Sequence, residues 1–223
     1  MAAVTSLFGY LQELEANNNR TWYAAHRAER SGAEAEFEDL VSSLQQRVAK
    51  FVPGVLDHSA KSLTFRLQRD TRFAADKSPY NPCFRAHLGP AGKRSLQMGP
   101  YLSIRPGDRS FLGGGLFAAK FPDATRLVRD AIAAAPDRWA KLVAALPWPV
   151  RGETLKNVPR GYPADHPCAA HLKHKSWYVE VPVSDAELAA AGFLDAAVAS
   201  YEAVHPLDEF LNGALSEFTL PPR

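Results

Sequence analysis

Two hydrophobic periodicities alternate along this chain, and their order restricts its fold more than any other feature. Near the start, Leu7, Leu11 and Leu14 lie at helical spacing, and a second helical pattern runs to about Pro53. Short strand-like segments fill the middle, a last one follows at residues 177–183, and helical patterns precede and follow it. This order lacks the regular strand–helix alternation of a doubly wound fold. It predicts an α+β protein whose mainly antiparallel sheet is flanked by helices from both ends of the chain.

Local signals set the expected limits of these elements. Residues 17–19 are asparagines that end the first helix and cap the next, and residues 31–32 are expected to break the helical pattern again. Residues 113–115 are glycines, which are expected to close a strand or to place a bulge in it. The expected strands are residues 62–67, 83–88, 101–105, 111–112 and 177–183. Later helices are expected to open at Pro122, Pro136 and a capping box at Ser184, with an interruption left open near Pro206.

Size, cysteine content and the lack of targeting signals restrict the class of protein. The 223 residues are 46% hydrophobic and 22% charged, values typical of a soluble domain, and we expect residues 1–223 to form one α+β domain. Cys83 and Cys168 are far apart, so we expect free thiols. The chain shows no secretory signal and no apolar run of roughly 20 residues. These features predict a cytoplasmic protein with no membrane partner, and they leave the oligomeric state and any cofactor unassigned.

Positive charge is concentrated in one part of the chain. Residues 61–94 hold eight basic and two acidic side chains, a local charge of +6 in a chain whose net charge is +2. A nearly neutral total argues against a protein that coats nucleic acid by bulk charge. The clustering indicates instead a local site for an anion. The basic residues are Lys61, Arg66, Arg69, Arg72, Lys77, Arg85, Lys93 and Arg94.

The densest polar run in that stretch, residues 66–80, begins where a predicted strand gives way to a loop, a common place for a binding site. Arginine presents a planar fork that pairs with carboxylate or phosphate, lysine adds a point charge, and tyrosine adds a hydroxyl. We expect these groups to form a cleft for a phosphate- or carboxylate-bearing small molecule. The expected binding residues are Arg66, Arg69, Arg72, Asp76, Lys77 and Tyr80, and the candidates for proton transfer are Asp70 and Tyr80.

The same run also permits an internal role. Asp70 and Asp76 can pair with the neighbouring cations and form a buried ionic lock that holds a long loop in place. Phe73 and Tyr80 are then hydrophobic anchors. Because the cations outnumber the two aspartates, some positive charge remains for an external anion, and both interpretations stay open.

A second polar run covers residues 156–166. His166 is a third candidate for proton transfer, because histidine can serve as an acid or a base, although a loop histidine bonded to the backbone explains it equally well. We expect this run to face residues 66–80 across one cleft. It would add Lys156, Arg160, Tyr162 and Lys175 to the binding residues.

Residues 165–174 contain five side chains of types that bind metals, among them His171 and His174. Lys173 and Lys175 lie in the same stretch and would repel a cation. We therefore assign no metal site and treat the histidines as solvated side chains.

The run 66–80 resembles the signature of the domain of unknown function 2461 family, a widespread bacterial family of about this chain length. The matching signature positions are Arg66, Arg69, Asp70, Arg72, Phe73, Asp76, Lys77 and Tyr80. Other matching positions are Asn18, Trp22, the strand from Tyr101, residues 113–115, Lys156, Pro159, Gly161, Tyr162, His166, Pro167, Leu172 and Lys175. The resemblance spans nearly the whole chain and implies a bacterial protein, but the family brings no established activity.

Three classes of function stay open. In the first, an anion-binding protein, with or without enzymatic activity, uses the cationic run as its ligand site. In the second, a nucleic-acid-binding module stacks bases on Phe73, Tyr80 and Phe84 while the cations contact phosphates. In the third, a structural or partner-binding protein uses the run as an internal ionic lock.

Overall fold

The computed structural model of the chain describes residues 5–93, 96–117 and 121–219. Its helices are α1 (Thr5–Ala16), α2 (Arg20–Ala25), α3 (Arg27–Val48), α4 (Ala60–Leu63), α5 (Pro122–Ala134), α6 (Pro136–Ala145), α7 (Ala169–Leu172), α8 (Asp185–Ala189) and α9 (Phe193–Ala214), with a 3-10 turn at Val55–Asp57. Its strands are β1 (Phe84–His87), β2 (Tyr101–Ile104), β3 (Ser110–Leu116) and β4 (Trp177–Val183). The strands form an antiparallel sheet in the order β1-β2-β3-β4, with helices at both ends of the chain, so the predicted α+β class is confirmed.

The N-terminal helices follow the predicted pattern with one exception. Asn19 caps α2, because its side chain accepts a hydrogen bond from the Trp22 backbone N–H. The break expected at residues 31–32 is wrong: α3 continues through them, and the chain turns earlier, at His26. An exposed glycine inside a helix costs only about 1 kcal/mol. Burial of the α3 side chains Phe37, Val41 and Leu44 offsets that cost.

The strand expected at residues 62–67 is also wrong. α4 occupies the first part of this segment, since the Ser59 side chain caps it by accepting a hydrogen bond from the Ser62 N–H. After α4, Thr64 forms an isolated antiparallel bridge to Ala86, and the Phe65 N–H donates to the Arg85 carbonyl at 2.8 Å. A serine cap thus competes successfully with the alternating apolar pattern.

The three glycines 113–115 neither close β3 nor bulge it, contrary to expectation. β3 pairs with β4 residue by residue from Ser110–Val183 to Leu116–Trp177. A Cβ at Gly114 would lie 2.8 Å from the Asp208 carboxylate of α9. The glycines are therefore explained by the close approach of β3 to its neighbours.

The two faces of the sheet differ. One face packs on helices: α9 lies on β3, and the Phe37 ring of α3 stacks on Phe84 of β1 with centroids 5.1 Å apart. α9 continues through Pro206 without interruption. The opposite face carries half-buried side chains from alternate positions, and we call it the outer face. These side chains are Arg85, His87, Tyr101, Phe111 and Tyr178.

Most remaining predictions are confirmed. β4 has the expected limits, α5 and α6 begin at the expected prolines, and the Ser184 capping box is present. Cys83 and Cys168 are free and buried. Within the three described ranges, no helix has both the length and the apolar composition needed to span a bilayer.

Candidate anion-binding site

An extended segment lies beside β1, and a loop follows it. We call residues 64–67 the strap and residues 68–80 the arm. The strap lies along β1, and the arm closes at its base, where the Arg69 N–H donates to the Pro79 carbonyl at 2.9 Å. The loop expected within residues 66–80 is therefore found, and the two sides of its base are hydrogen-bonded to each other.

The base of the arm is anchored by residue Tyr80. The Asn18 side chain donates to the Tyr80 carbonyl at 2.9 Å and accepts from the Tyr80 N–H at 3.1 Å. The Tyr80 ring stacks on Tyr23 with centroids 3.7 Å apart, and the Arg30 guanidinium lies 4.2 Å from the Tyr23 ring centroid. Tyr80 is therefore a buried anchor, as the lock hypothesis expected. Its roles in ligand binding and proton transfer stay predictions.

Two ion pairs lie within the arm. The Arg72 guanidinium donates to both Asp70 oxygens, from Nε at 2.9 Å and from Nη2 at 2.6 Å, and Arg69 pairs with Asp76 at 2.5 Å. Hydrogen bonds from Arg72 lower the pKa of Asp70 to about 2. Asp70 is therefore ionised at neutral pH and is a weak base there.

The pairing that the lock hypothesis expects is found, but the Arg72–Asp70 pair is not buried. The side chains of Arg72 and Asp70 are 77% and 59% exposed. Water screens exposed pairs, so they contribute little to stability. Lys77 points back into the arm, where its Nζ donates to the Thr71 carbonyl at 3.0 Å.

Phe73, expected to be either a hydrophobic anchor or a stacking platform, is 95% exposed near the tip of the arm. It anchors nothing within the described part of the chain. Tyr80 and Phe84, the other two aromatic residues proposed to stack on bases, are 8% and 3% exposed. Both are packed against helices, so they cannot stack on bases.

A groove of about 260 Å³ separates α3 from the strap. The cations that line it are Lys61, Arg66 and Lys93, and its acids are Glu34 and Glu38. Among the residues described, no hydrogen bond or ion pair holds Arg66. The groove therefore contains an arginine whose fork is available.

The second polar run lies in a longer segment, residues 151–175, which we call the connector. The Tyr162 hydroxyl donates to Asp130 of α5 at 2.6 Å, and burial together with this bond raises the pKa of Tyr162 to about 12. Lys175 pairs with Glu153, and the His166 Nδ1 accepts from the Cys168 N–H at 3.0 Å. Lys156 and Arg160 are exposed. Most of these polar groups are thus engaged within the connector or with α5.

The arm and the connector leave the sheet at opposite corners. The arm lies beyond edge strand β1, past the end where Phe84 pairs with Ile104. The connector leads into β4, the other edge strand, at the end where Trp177 pairs with Leu116. Three strand spacings of about 4.8 Å separate β1 from β4. No hydrogen bond, ion pair or ring contact between described residues joins the two segments, so the single shared cleft stays a prediction without support.

Two histidines of the connector, His171 and His174, lie close to each other. The rings of His171 and His174 have centroids 5.4 Å apart, and burial lowers the pKa of both. Residues 5–93, 96–117 and 121–219 contain no group of three or more His, Cys, Asp or Glu side chains arranged to hold a metal ion.

Two lysines and one aromatic residue that line the groove are missing from the sequence prediction. Lys61 and Lys93 belong to the cationic stretch but not to the predicted binding residues, and Phe65 is also absent from those residues. Lys61, Lys93 and Phe65 come together because the strap pairs with β1. No local sequence pattern predicts that pairing. Arg94, the last cation of the stretch, lies outside the described residues.

Comparison with known proteins supports the resemblance in the sequence. No curated protein and no solved structure matches the chain. The family model described as "Conserved hypothetical protein (DUF2461)" matches residues 6–210, a range that includes the sheet, the strap, the arm and the connector. The chain therefore belongs to the DUF2461 family of conserved hypothetical proteins.

Proposed function

We propose that this protein binds a phosphate- or carboxylate-bearing small molecule in the groove between α3 and the strap. One observation carries the proposal: Arg66 lines the groove and has no partner among the described residues. Arg69 and Arg72, in contrast, are held by aspartates. An arginine fork without a carboxylate of its own is suited to accept two oxygens of an anionic ligand.

The charges around the groove support this proposal. Glu34 lies 3.8 Å from Arg30, and Glu38 lies 3.8 Å from Lys61, so both acids face cations other than Arg66. The Lys93 Nζ donates to the Thr64 carbonyl. The groove lining holds three cations, Lys61, Arg66 and Lys93, and two acids. Its volume of about 260 Å³ suits a phosphate or a small carboxylate better than a large ligand.

The proposal is for binding and assigns no chemical step. A general acid or base must lie within hydrogen-bond reach of the reacting group. Asp70, Tyr80 and His166, the three candidates for proton transfer, are absent from the lining of this groove. Any enzymatic activity would therefore need other residues.

The test is calorimetric titration with pyrophosphate, a phosphosugar and a tricarboxylate. We expect Arg66→Ala to weaken binding at least tenfold, because charge-assisted hydrogen bonds of this kind are worth about 1.5 to 3 kcal/mol. Arg66→Lys keeps the charge without the fork and should retain part of the affinity. The matched control is Arg72→Ala, which removes the same charge from the exposed arm and should change affinity less than twofold.

Two results would reject the proposal. Binding that survives Arg66→Ala would locate the anion elsewhere. Equal weakening by Arg66→Ala and Arg72→Ala would indicate general electrostatic attraction and no defined groove site.

A second candidate function, nucleic-acid binding, is favoured by the exposure of Phe73. Its exposed fraction of 95% far exceeds those of Leu56 and Phe117, the other exposed large apolar side chains among the described residues, at 51% and 57%. The Arg72 guanidinium lies 5.9 Å from the Phe73 ring centroid. An exposed ring beside a cation can stack on a base while the cation contacts phosphate.

Fluorescence anisotropy with a labelled single strand tests this second candidate. Phe73→Ala is expected to weaken binding about five- to tenfold, Phe73→Trp to preserve it, and rising salt to weaken it steeply. Affinity that is indifferent to Phe73→Ala would remove this candidate.

A further inference from the structure

The outer face of the sheet carries a cavity of about 210 Å³ beside the strap. Its walls include three aromatic rings, from Phe65 of the strap, Tyr101 of β2 and Phe117 just after β3. The Phe65 and Tyr101 rings are tilted, with centroids 6.3 Å apart. Gly114 and Gly115 of β3 contribute only backbone atoms to the cavity lining. Aromatic walls over a side-chain-free surface suit a flat, unsaturated ring.

A few polar groups converge on this apolar cavity. His87 of β1 lines it, and burial lowers the pKa of His87 to about 4, so the imidazole is neutral at pH 7. One nitrogen of this imidazole is hydrogen-bonded to the Lys93 backbone, and the other nitrogen of the neutral ring is an acceptor. Gln97 adds an amide with both a donor and an acceptor. Hydrogen-bonding groups with both polarities in an apolar cavity are the usual means of orienting a heteroaromatic ring.

The cavity adjoins the anion groove. Phe65 and Lys93 line both spaces, so the Phe65 side chain is a partition between them. The Lys93 Nζ lies 5.8 Å from the Phe65 ring centroid, and the Arg85 guanidinium lies 5.4 Å from it. A ligand with its anionic group beside Arg66 therefore has an aromatic cavity one side chain away.

We propose that this cavity holds a planar heteroaromatic ring carried by the same ligand, so that the ligand class is a mononucleotide. The phosphate lies beside Arg66, and the base lies between Phe65, Tyr101 and Phe117. This inference rests on the proposed function, because the groove must hold the phosphate. It goes further by naming the second half of the ligand: a phosphosugar fills only the groove, and a nucleoside fills only the cavity.

The test compares ligands that contain one half or both halves. Binding of adenosine and uridine monophosphates is measured by titration calorimetry against ribose 5-phosphate and the two nucleosides. We expect the nucleotides to bind about tenfold more tightly than ribose 5-phosphate, the gain typical of one stacked base. Phe117→Ala should abolish that gain without weakening ribose 5-phosphate. Phe117 is 57% exposed, so the variant is expected to fold, and Phe73→Ala is the matched control for loss of an exposed ring.

The outcomes separate this inference from the proposed function. Equal affinity for nucleotide and ribose 5-phosphate, with both lost in Arg66→Ala, would overturn the mononucleotide and leave the anion groove intact. Nucleosides that bind as tightly as nucleotides would overturn both. Binding of an oligonucleotide without binding of mononucleotides would overturn the inference in favour of a nucleic-acid partner.

Discussion

The arm and the connector have similar composition but use their polar groups in different ways. The ion pairs of the arm join residues of the arm itself, and each has at least one largely exposed side chain. The connector is bonded to α5, where Tyr162 donates to Asp130 and Arg129 donates to the carbonyls of Leu172 and His174 at 2.8 Å each. The connector is therefore part of the scaffold, whereas the arm is a surface element fixed only at its base. Cationic composition alone does not distinguish a binding surface from a support.

The largest effect is expected from removing the link between α5 and the connector. Arg129→Ala leaves two half-buried carbonyl groups without their donor, and we expect a loss of about 2 to 3 kcal/mol in the free energy of unfolding. Urea denaturation measures it. Arg126→Ala, an exposed arginine on the same helix, is the control and should change stability by less than about 0.5 kcal/mol. Equal stability of both variants would contradict the scaffold role.

A smaller effect is expected at the base of the arm. Asn18→Ala removes the two hydrogen bonds to the Tyr80 backbone, so we expect a loss of about 1 to 2 kcal/mol. Hydrogen exchange of the Arg69 and Asn81 amides, which close the arm, should accelerate. Unchanged exchange at both amides would mean that the arm is held without Asn18.

Tyr162 offers an alkaline test of the connector. Its folded pKa of about 12 lies above the ordinary value of 10.0. The stabilisation is therefore present at neutral pH and is lost as pH rises from about 10 through 12. Tyr162→Phe should cost about 1 kcal/mol at pH 7 and should flatten the pH dependence in that window. A wild-type stability curve that matches the variant between pH 10 and 12 would refute this.

The smallest effect is expected from the exposed pair in the arm. Arg72→Ala should leave the melting temperature unchanged within error, because water screens the pair. The Asp70 carboxyl should titrate at about 2 in the wild type, and it should return toward 3.8 in the variant. Because the folded pKa is depressed, any stabilisation persists above pH 4 and fades only as pH falls toward 2. Carboxyl NMR shifts report this directly, and an unperturbed Asp70 would show that the pair does not persist in solution.

Much of the fold was predictable from local patterns. β4 alternates strictly between buried and partly or fully exposed positions. Asn19 and Ser184 are N-caps, and α5 and α6 begin at Pro122 and Pro136. The errors arose where tertiary contacts or competing caps overrode such patterns. Burial along α3 carried the helix through Gly32, and Ser59 converted part of an alternating segment into α4.

The site was less predictable than the fold. The arm, its two ion pairs and the proposed role of Arg66 follow from residues close together in the sequence. The groove does not, because it depends on α3, the strap and Lys93 meeting around β1. The outer-face cavity depends on Phe65, Tyr101 and Phe117 coming from three separate segments. Local periodicity contains no information about which segments become neighbours.

The close packing of the three β3 glycines also limits how the outer-face cavity can adjust its shape to a ligand. The Gly115 N–H already donates to buried Asp208 at 2.7 Å, so the strand surface there presents neither a rotatable group nor that amide to a guest. Any adjustment of this cavity to a ligand must therefore come from the side chains around the strand, such as Phe65 and Phe117. In the proposed mononucleotide site, variants at these two rings should alter which bases are preferred, whereas enlarging Gly114 should disturb the packing of β3 on α9 before it changes any preference.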